Sequence, residues 1–338
     1  MILFNFWHLK EKNGMFYFGI DYLENISTDK SGVVVICRFG VFDEGDFPSG
    51  FRVLPLNFRS YLLYVLNARV KGWGLFSPTV HCIPFYPKQV SVLHDCYPFE
   101  GGSNRLKRVV LILMLLFGGG YIGGINRSSV LPFLRGKGLN KIFYCPNLLP
   151  ERISTVFKRK EVRQAAQNQF LRVGLVGTDS RKKRYEMILE SRSYNFKNFE
   201  FVFFGTDTRY YREMYTKLSS RGYKVRRVDS SEVNLDIYLV NCIDVLMSVA
   251  MGEGFCRPVA QAAMFNVPVF LLKDPVFTEF YRDTAVIKET FPELVAALEA
   301  QSGWVVGKRL DKAARRLQSD ISRDFARSTT FIREYLKL

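Results

Sequence analysis

VLMSVAMGEGFCRPVAQAAMFNVPVFLL, residues 245–272, is the stretch whose reading decides the fold. A short apolar run ends near Ser248, a loop with Glu253, Gly254, Phe255 and Cys256 follows, and the chain is apolar again over 267–271. Between the two runs, Pro258 occupies the first turn of a helix, where its missing N–H costs little. A strand that returns through a helix to a second continuously apolar strand predicts a parallel sheet buried on both faces. The pattern recurs along the chain, with strands expected over 2–6, 33–37, 80–84, 90–93, 121–125 and 142–145, then over 172–176, 200–204 and 224–228. The expected fold class is α/β, with two Rossmann-like doubly wound domains facing across a cleft.

Proline followed by a polar, charged stretch over 146–169 reads as a linker. The expected division is therefore 1–150 and 151–310, with residues 311–338 as a helical closing segment, since Leu310, Ala313, Ala314, Leu317, Ile321, Phe325 and Ile332 recur at roughly helical spacing. A length of 338 residues agrees with about two domains at roughly 100 to 200 residues each. With 48% hydrophobic residues, the chain is neither disordered nor collagen-like. The 48 Lys and Arg against 32 Asp and Glu give a net charge of +16, spread over both halves, which draws polyanions, anionic lipid or phosphate-bearing substrates and says nothing of fold.

Six cysteines without a CxxC pair and only three histidines make a zinc cage a poor reading and point to the reducing cytoplasm. The start, MILFNFWHLKEKNG, lacks a basic leader and reads as a first strand. Residues 109–125 carry no charge, yet five glycines interrupt them, so a buried helix followed by a buried strand is expected instead of a membrane span.

In open α/β sheets ligands sit at the carboxyl ends of strands, so the chemistry is sought in the turns that follow them. In LRVGLVGTDSRKKRYEMIL (171–189) the strand ends at Gly177, and Thr178 and a polar turn lead to Arg181, Lys182, Lys183 and Arg184. Lysines beside a helix start suit a diphosphate, although the turn is not a P-loop and a solvated basic face is the plain alternative. The Glu253 carboxylate suits sugar hydroxyls and the loop amides suit phosphate oxygens, against a surface glutamate as the plain alternative. In the first domain His94 and Asp95 end a strand, and Asn13 and Gly14 lie in the turn after the first. A histidine there serves catalysis, binds a charged group or is a satisfied structural residue.

Together these residues resemble a retaining glycosyltransferase of the GT-B fold, from the "glycosyl transferases group 1" family. EGFCRPVAQAAMFNVPV is similar to that family's E-G-F-G-L-P-x-x-E-A-M-A-x-G-x-P-V, and VGTDSRKK to its V-G-R-x-x-x-x-K-G. VLHDCYPF and FYCPNLLP stand in the expected order before them, while residues 1–89 agree only in their strand and helix pattern. The resemblance implies that Glu253 holds the donor sugar and that Gly254, Phe255 and Cys256 approach the sugar and diphosphate. It implies that Lys183 neutralises the diphosphate, that His94 lies near the transferred sugar, and that Gly14 lies beside the phosphates. Gly177, Thr178, Arg257 and Gln261 complete the expected donor site, and the resemblance implies that 1–150 binds the acceptor and 151–310 the nucleotide sugar. Three positions depart from the family: Gln261 replaces the second glutamate, Thr178 a common arginine, and Cys256–Arg257 the usual Gly-Leu.

The implied activity is transfer of a hexose or deoxyhexose from a nucleotide diphosphate sugar to a saccharide or lipid-linked acceptor, with retention, in bacterial surface polysaccharide or lipopolysaccharide assembly. No cofactor is implied, and no DxD triplet offers metal ligands. Arg105, Lys107 and Arg108 ahead of an apolar helix, with Phe47, Phe51, Phe58, Tyr61 and Tyr64 upstream, suit an anionic membrane surface at the inner face of the plasma membrane. Competing readings are a GT-B epimerase or phosphorylase, a weakly active partner subunit, and a nucleic-acid-binding protein. For the last no RRM, KH or helix-turn-helix signature occurs, so nucleic acid is not an expected partner.

Overall fold

The computed structural model describes residues 1–26, 30–96, 99, 105–149, 170–190, 198–300 and 308–337, with the backbone alone at Lys107 and 308–311. Most of the expected linker, 150–169, lies outside the described residues, as does the Leu310 side chain. The chain divides into two compact units, Met1–Leu148 with Asp320–Leu338, and Leu149–Ser319. The terminal residues, set apart from 311 onward in the sequence reading, thus belong with the first unit from Asp320.

In the first unit β1 (Ile2–Asn5), β2 (Val33–Arg38), β3 (Arg52–Leu56), β4 (Gly74–Ser77), β5 (Gln89–Leu93), β6 (Tyr121–Gly124) and β7 (Ile142–Tyr144) form one parallel sheet, ordered β3-β2-β1-β4-β5-β6-β7. Its helices are α1 (Gly14–Ile26), α2 (Phe58–Val70), α3 (Arg105–Phe117) and α4 (Val130–Gly136). Leu3 pairs with Leu75 and Leu75 with Gln89, so Leu93, an even number of residues on, shares their face. On that face Tyr61, Val65 and Ala68 of α2 pack with Leu3 and Leu75, and Leu111 and Leu115 of α3 pack with Leu93 and Ile122. On the opposite face Tyr22 of α1 lies 5.4 Å from Phe76.

In the second unit β8 (Leu171–Val176), β9 (Phe199–Phe204), β10 (Lys224–Val228), β11 (Val245–Ser248), β12 (Val269–Leu272) and β13 (Val286–Lys288) form a second parallel sheet, ordered β10-β9-β8-β11-β12-β13. Its core joins Val173, Leu175, Phe201 and Phe203 to Tyr185, Tyr210, Met214 and Leu294. The helices after the sheet's first strand are α5 (Glu186–Glu190), α6 (Arg209–Ser219), α7 (Leu235–Ile237), α8 (Arg257–Met264), α9 (Pro275–Tyr281) and α10 (Phe291–Glu299), and α11 (Lys308–Leu336) closes the chain. Each sheet reverses its strand order beside its first strand, between β1 and β4 and between β8 and β11. Those are the two places where such folds take ligands.

Three expectations need correction. The strand over 80–84 is instead β4, because the side chain of Gln89 occupies the backbone of that loop, accepting from Ile83 N at 2.9 Å and donating to Ile83 O at 2.7 Å. The segment 109–125 contains a buried strand, but its helix is buried on one side only. Leu106, Val109, Leu113, Leu116 and Phe117 of α3, with Leu63, Leu66 and Val70 of α2, are 46–87% exposed. Of the aromatics assigned to a membrane surface, Phe47, Phe51 and Tyr61 are buried in the core, whereas Phe58 is exposed. Unanticipated β3 and β13 are edge strands, and an edge tolerates Pro55, whose missing N–H breaks no central ladder.

Candidate functional site

At the reversal between β8 and β11 the chain brings two turns together. After β8, Gly177 takes φ +97°, a conformation that excludes most side chains, and its N–H donates to Phe204 O at 3.0 Å. A Cβ at this position would lie 2.7 Å from Cε of Lys183. The lysine stem lies back across the glycine because a single 3₁₀ turn, Arg181–Lys183, capped by the Ser180 side chain, reverses its direction.

The second turn follows β11. Gly252 N donates to Asp274 Oδ2 at 2.9 Å, and Met251 N to Lys182 O at 3.4 Å, which ties the loop to both α9 and the first turn. Phe255 is buried edge-on against Phe280 with ring centres 4.9 Å apart, and its carbonyl accepts from the Tyr281 hydroxyl. These anchors hold Glu253 inward. Its Oε1 lies 3.0 Å from Lys183 Nζ and its Oε2 3.9 Å from Lys182 Nζ. Both ammonium groups thus face one carboxylate, and Asp179 adds a further negative charge to the field at Lys183.

Burial opposes both charges, and the pairing outweighs it. Burial tends to lower the Lys183 pKa, but the adjacent Glu253 carboxylate holds it above its ordinary value. Burial tends to raise Glu253, but Lys183 and then Lys182 hold it below the usual carboxylate range. Cys256 is pushed up to about 12, by burial first and by Glu253 second, so it is a thiol and not a nucleophile at neutral pH. Cys256 also adopts a left-handed conformation at the start of α8, a helix without a side-chain cap. The positive end of the α8 dipole therefore lies beside Glu253, where an anion is favoured.

The remaining expected residues fall in different places. Gly254 is buried in the same loop, and Arg257 and Pro258 begin α8. Gln261, one turn further along, donates from Nε2 to Asp236 Oδ1 at 3.2 Å. Thr178 is buried, and its hydroxyl donates to Thr206 O at 2.8 Å. Arg181 pairs with Glu186 and Glu213. His94 and Gly14 belong to the first unit. His94 Nε2 donates to Pro78 O at 2.8 Å, since a carbonyl only accepts, and its ring lies edge-on to Phe18. Gly14 begins α1, whose first amides donate to Asn13 Oδ1, and a Cβ there would meet no atom within 4 Å. Asp236 and Asp274 were not anticipated. Only Asp274 had a local signal, an Asp ahead of Pro275 at a helix start. Among the described residues, no group of three or more His, Cys, Asp and Glu side chains is placed to hold a metal ion.

No family model and no curated protein sequence matches the chain. Solved structures match it over nearly its whole length. HepE of Anabaena, solved with UDP and glucose, is 14% identical with a TM-score of 0.69 and covers 99% of this chain and 98% of its own. WaaG, a glycosyltransferase involved in lipopolysaccharide biosynthesis, is 14% identical at 0.75, covering 98% and 99%. WaaB, a lipopolysaccharide outer core galactosyltransferase, is 12% identical at 0.64, covering 98% and 99%. Such likeness establishes the fold: two doubly wound parallel sheets of seven and six strands, the GT-B fold expected from the sequence.

Proposed function

We propose that this GT-B chain is a retaining glycosyltransferase of the group 1 family. It would move a hexose or deoxyhexose from a nucleotide diphosphate sugar to a saccharide or lipid-linked acceptor in surface polysaccharide or lipopolysaccharide assembly. The observation that carries this reading is the Lys183–Glu253 pair at the reversal of the second sheet, beside an uncapped helix start. The fold neighbours support it: one was solved with UDP and glucose, and two build lipopolysaccharide.

In this reading the sugar–phosphate bond breaks as negative charge collects on the departing diphosphate. Lys183, Lys182 and the positive end of the α8 dipole stabilise that charge, and groups fixed in advance need no reorganisation. Glu253 accepts hydrogen bonds from the sugar hydroxyls. The acceptor oxygen attacks the face from which the diphosphate leaves, and a diphosphate oxygen takes its proton, so the anomeric configuration is retained without a protein nucleophile. No metal ion or cofactor enters these steps.

The acceptor is placed at a membrane surface, at the inner face of the plasma membrane. The support is the apolar outer row of α3, with Arg105 at its start, beside the exposed Phe85, whose ring is 5.9 Å from that of Phe117. No helix among the described residues is long and apolar enough to cross a membrane.

The test is a thermal-shift panel of UDP, GDP and dTDP. A nucleotide at 100 times its dissociation constant adds about 2.7 kcal/mol to stability, and Lys183→Ala removes that gain. A stabilisation by DNA and none by nucleotides would sink the reading. A weakly active partner subunit is the second reading, because Gln261 is engaged by Asp236. Nucleotide binding without any sugar transfer would favour it.

A further inference from the structure

β11 and β12 are neighbours in the second sheet, so the turns that follow them lie side by side. The first turn carries Glu253, and the second opens α9 with Asp274, whose two carboxylate oxygens have separate partners. Oδ1 accepts from Val276 N at 2.9 Å, which caps α9, and Oδ2 accepts from Gly252 N at 2.9 Å. A cap needs one acceptor, and serine or asparagine supplies it as well as aspartate does. Asp274 is 4% exposed, and a carboxylate is costly to bury unless its oxygens are hydrogen-bonded. Capping alone therefore does not account for a carboxylate here. The second oxygen does, since it is the one that reaches the neighbouring turn.

Gly252 has φ +68°, so Asp274 holds the chain in a left-handed conformation one residue before Glu253. The same helix grips the far side of the loop. The buried Tyr281, at the end of α9, donates from its hydroxyl to Phe255 O and lies 3.4 Å from Cys256 O. Glu253 thus stands between two anchors from one helix, and its Oε1 is 3.0 Å from Lys183 Nζ. Release of the Gly252 contact frees one end of this loop while Tyr281 keeps the other.

We propose that Asp274 is a positioning residue for Glu253: by holding Gly252 it fixes that carboxylate against Lys183, and so sets how well the loop recognises the sugar of a nucleotide sugar. The sugar recognition rests on the glycosyl-transfer reading above. The test is the coupling between Lys183 and Glu253 in urea unfolding, from Lys183→Met, Glu253→Gln and the two together, measured with and without Asp274→Asn. Asparagine keeps the cap and sets an NH2 group against Gly252 N–H. The coupling is expected to fall to roughly half or less, whereas a residue that only stabilises the fold lowers every midpoint alike and leaves the coupling unchanged. In parallel, binding of UDP, GDP and dTDP is compared with that of UDP-glucose, GDP-mannose and dTDP-glucose. Asp274→Asn weakens binding of the nucleotide sugar on the order of tenfold, or about 1.4 kcal/mol, and leaves that of the nucleotide alone unaffected. If Asp274→Asn lowers Tm as a lost cap would, Asp274→Ser, which caps through its single oxygen, is read by the same criteria. Unchanged coupling, or unchanged discrimination between nucleotide sugar and nucleotide in a chain that binds nucleotide, overturns the proposal. Lowered coupling in a chain that binds no nucleotide keeps Asp274 as the positioning residue and removes the glycosyl-transfer reading instead.

Discussion

Lys183 and Glu253 each neutralise a charge that the other would leave stranded. Truncating one partner of a buried pair costs about 3–5 kcal/mol, because the remaining ion has lost both water and counter-charge. Lys183→Ala is therefore expected to lower the urea midpoint as well as to abolish the nucleotide shift. Lys183→Met with Glu253→Gln recovers most of the midpoint but no nucleotide shift, which separates folding from binding. The pH dependence follows from the signs. Glu253 is depressed, so its contribution is full above its unfolded pKa of about 4.3 and is lost as pH falls through its lower folded value. Lys183 is raised, so its contribution is full below about 10.4 and is lost as pH rises through its higher folded value. Urea midpoints should therefore fall at pH below the acid limit and above the alkaline one, by an amount that the double variant, which has neither titrating group, does not lose. At Gly177, alanine meets Lys183 Cε and an unfavourable φ of +97°, with an expected cost of about 1–3 kcal/mol and weaker nucleotide binding. Lys183 and Glu253 were legible because each lies in a turn just after an apolar strand. Asp236 was not, since only folding brings it to Gln261.

Among the elements, α3 illustrates where pattern reading stops. RLKRVVLILMLLF is apolar at nearly every position after its basic start, so no periodicity betrays which side meets the sheet. The sheet decides: Leu111 and Leu115 go under, and the opposite row remains in solvent. Leu106→Glu with Leu113→Glu should leave Tm within about 0.5 kcal/mol of stability, as surface changes do, while abolishing co-sedimentation with phosphatidylglycerol vesicles at low salt. Unchanged sedimentation would remove the membrane placement. The missed β4 has a related cause. GLFS is only four residues long and gains its strand character from lying between β1 and β5, whereas the longer apolar run after it is held as a loop by Gln89.

Across the whole molecule, α11 is the element whose allegiance could not be read locally. Its buried positions Ile321, Phe325, Ile332 and Leu336 lie in the part that belongs to the first unit, where Phe325 packs 4.6 Å from Tyr22 and Asp324 pairs with Arg127 at 2.9 Å. Phe325→Ala is expected to cost about 3–5 kcal/mol in urea unfolding, and a chain ending at Ser319 should expose that face and bind a hydrophobic dye. A truncated chain with the wild-type melting curve would contradict this. The sequence by itself determined the architecture: apolar runs of strand length have to be buried on both faces, and only helical crossovers between parallel strands achieve that. It also marked the two turns of the proposed donor site, whose composition is local. Tertiary structure alone decided that Lys183 meets Glu253 across 70 positions, which side of α3 stays wet, and which unit keeps the last helix. The reason is that periodicity constrains a residue relative to its own helix or strand, whereas a contact requires the chain to close, and closure depends on every element between.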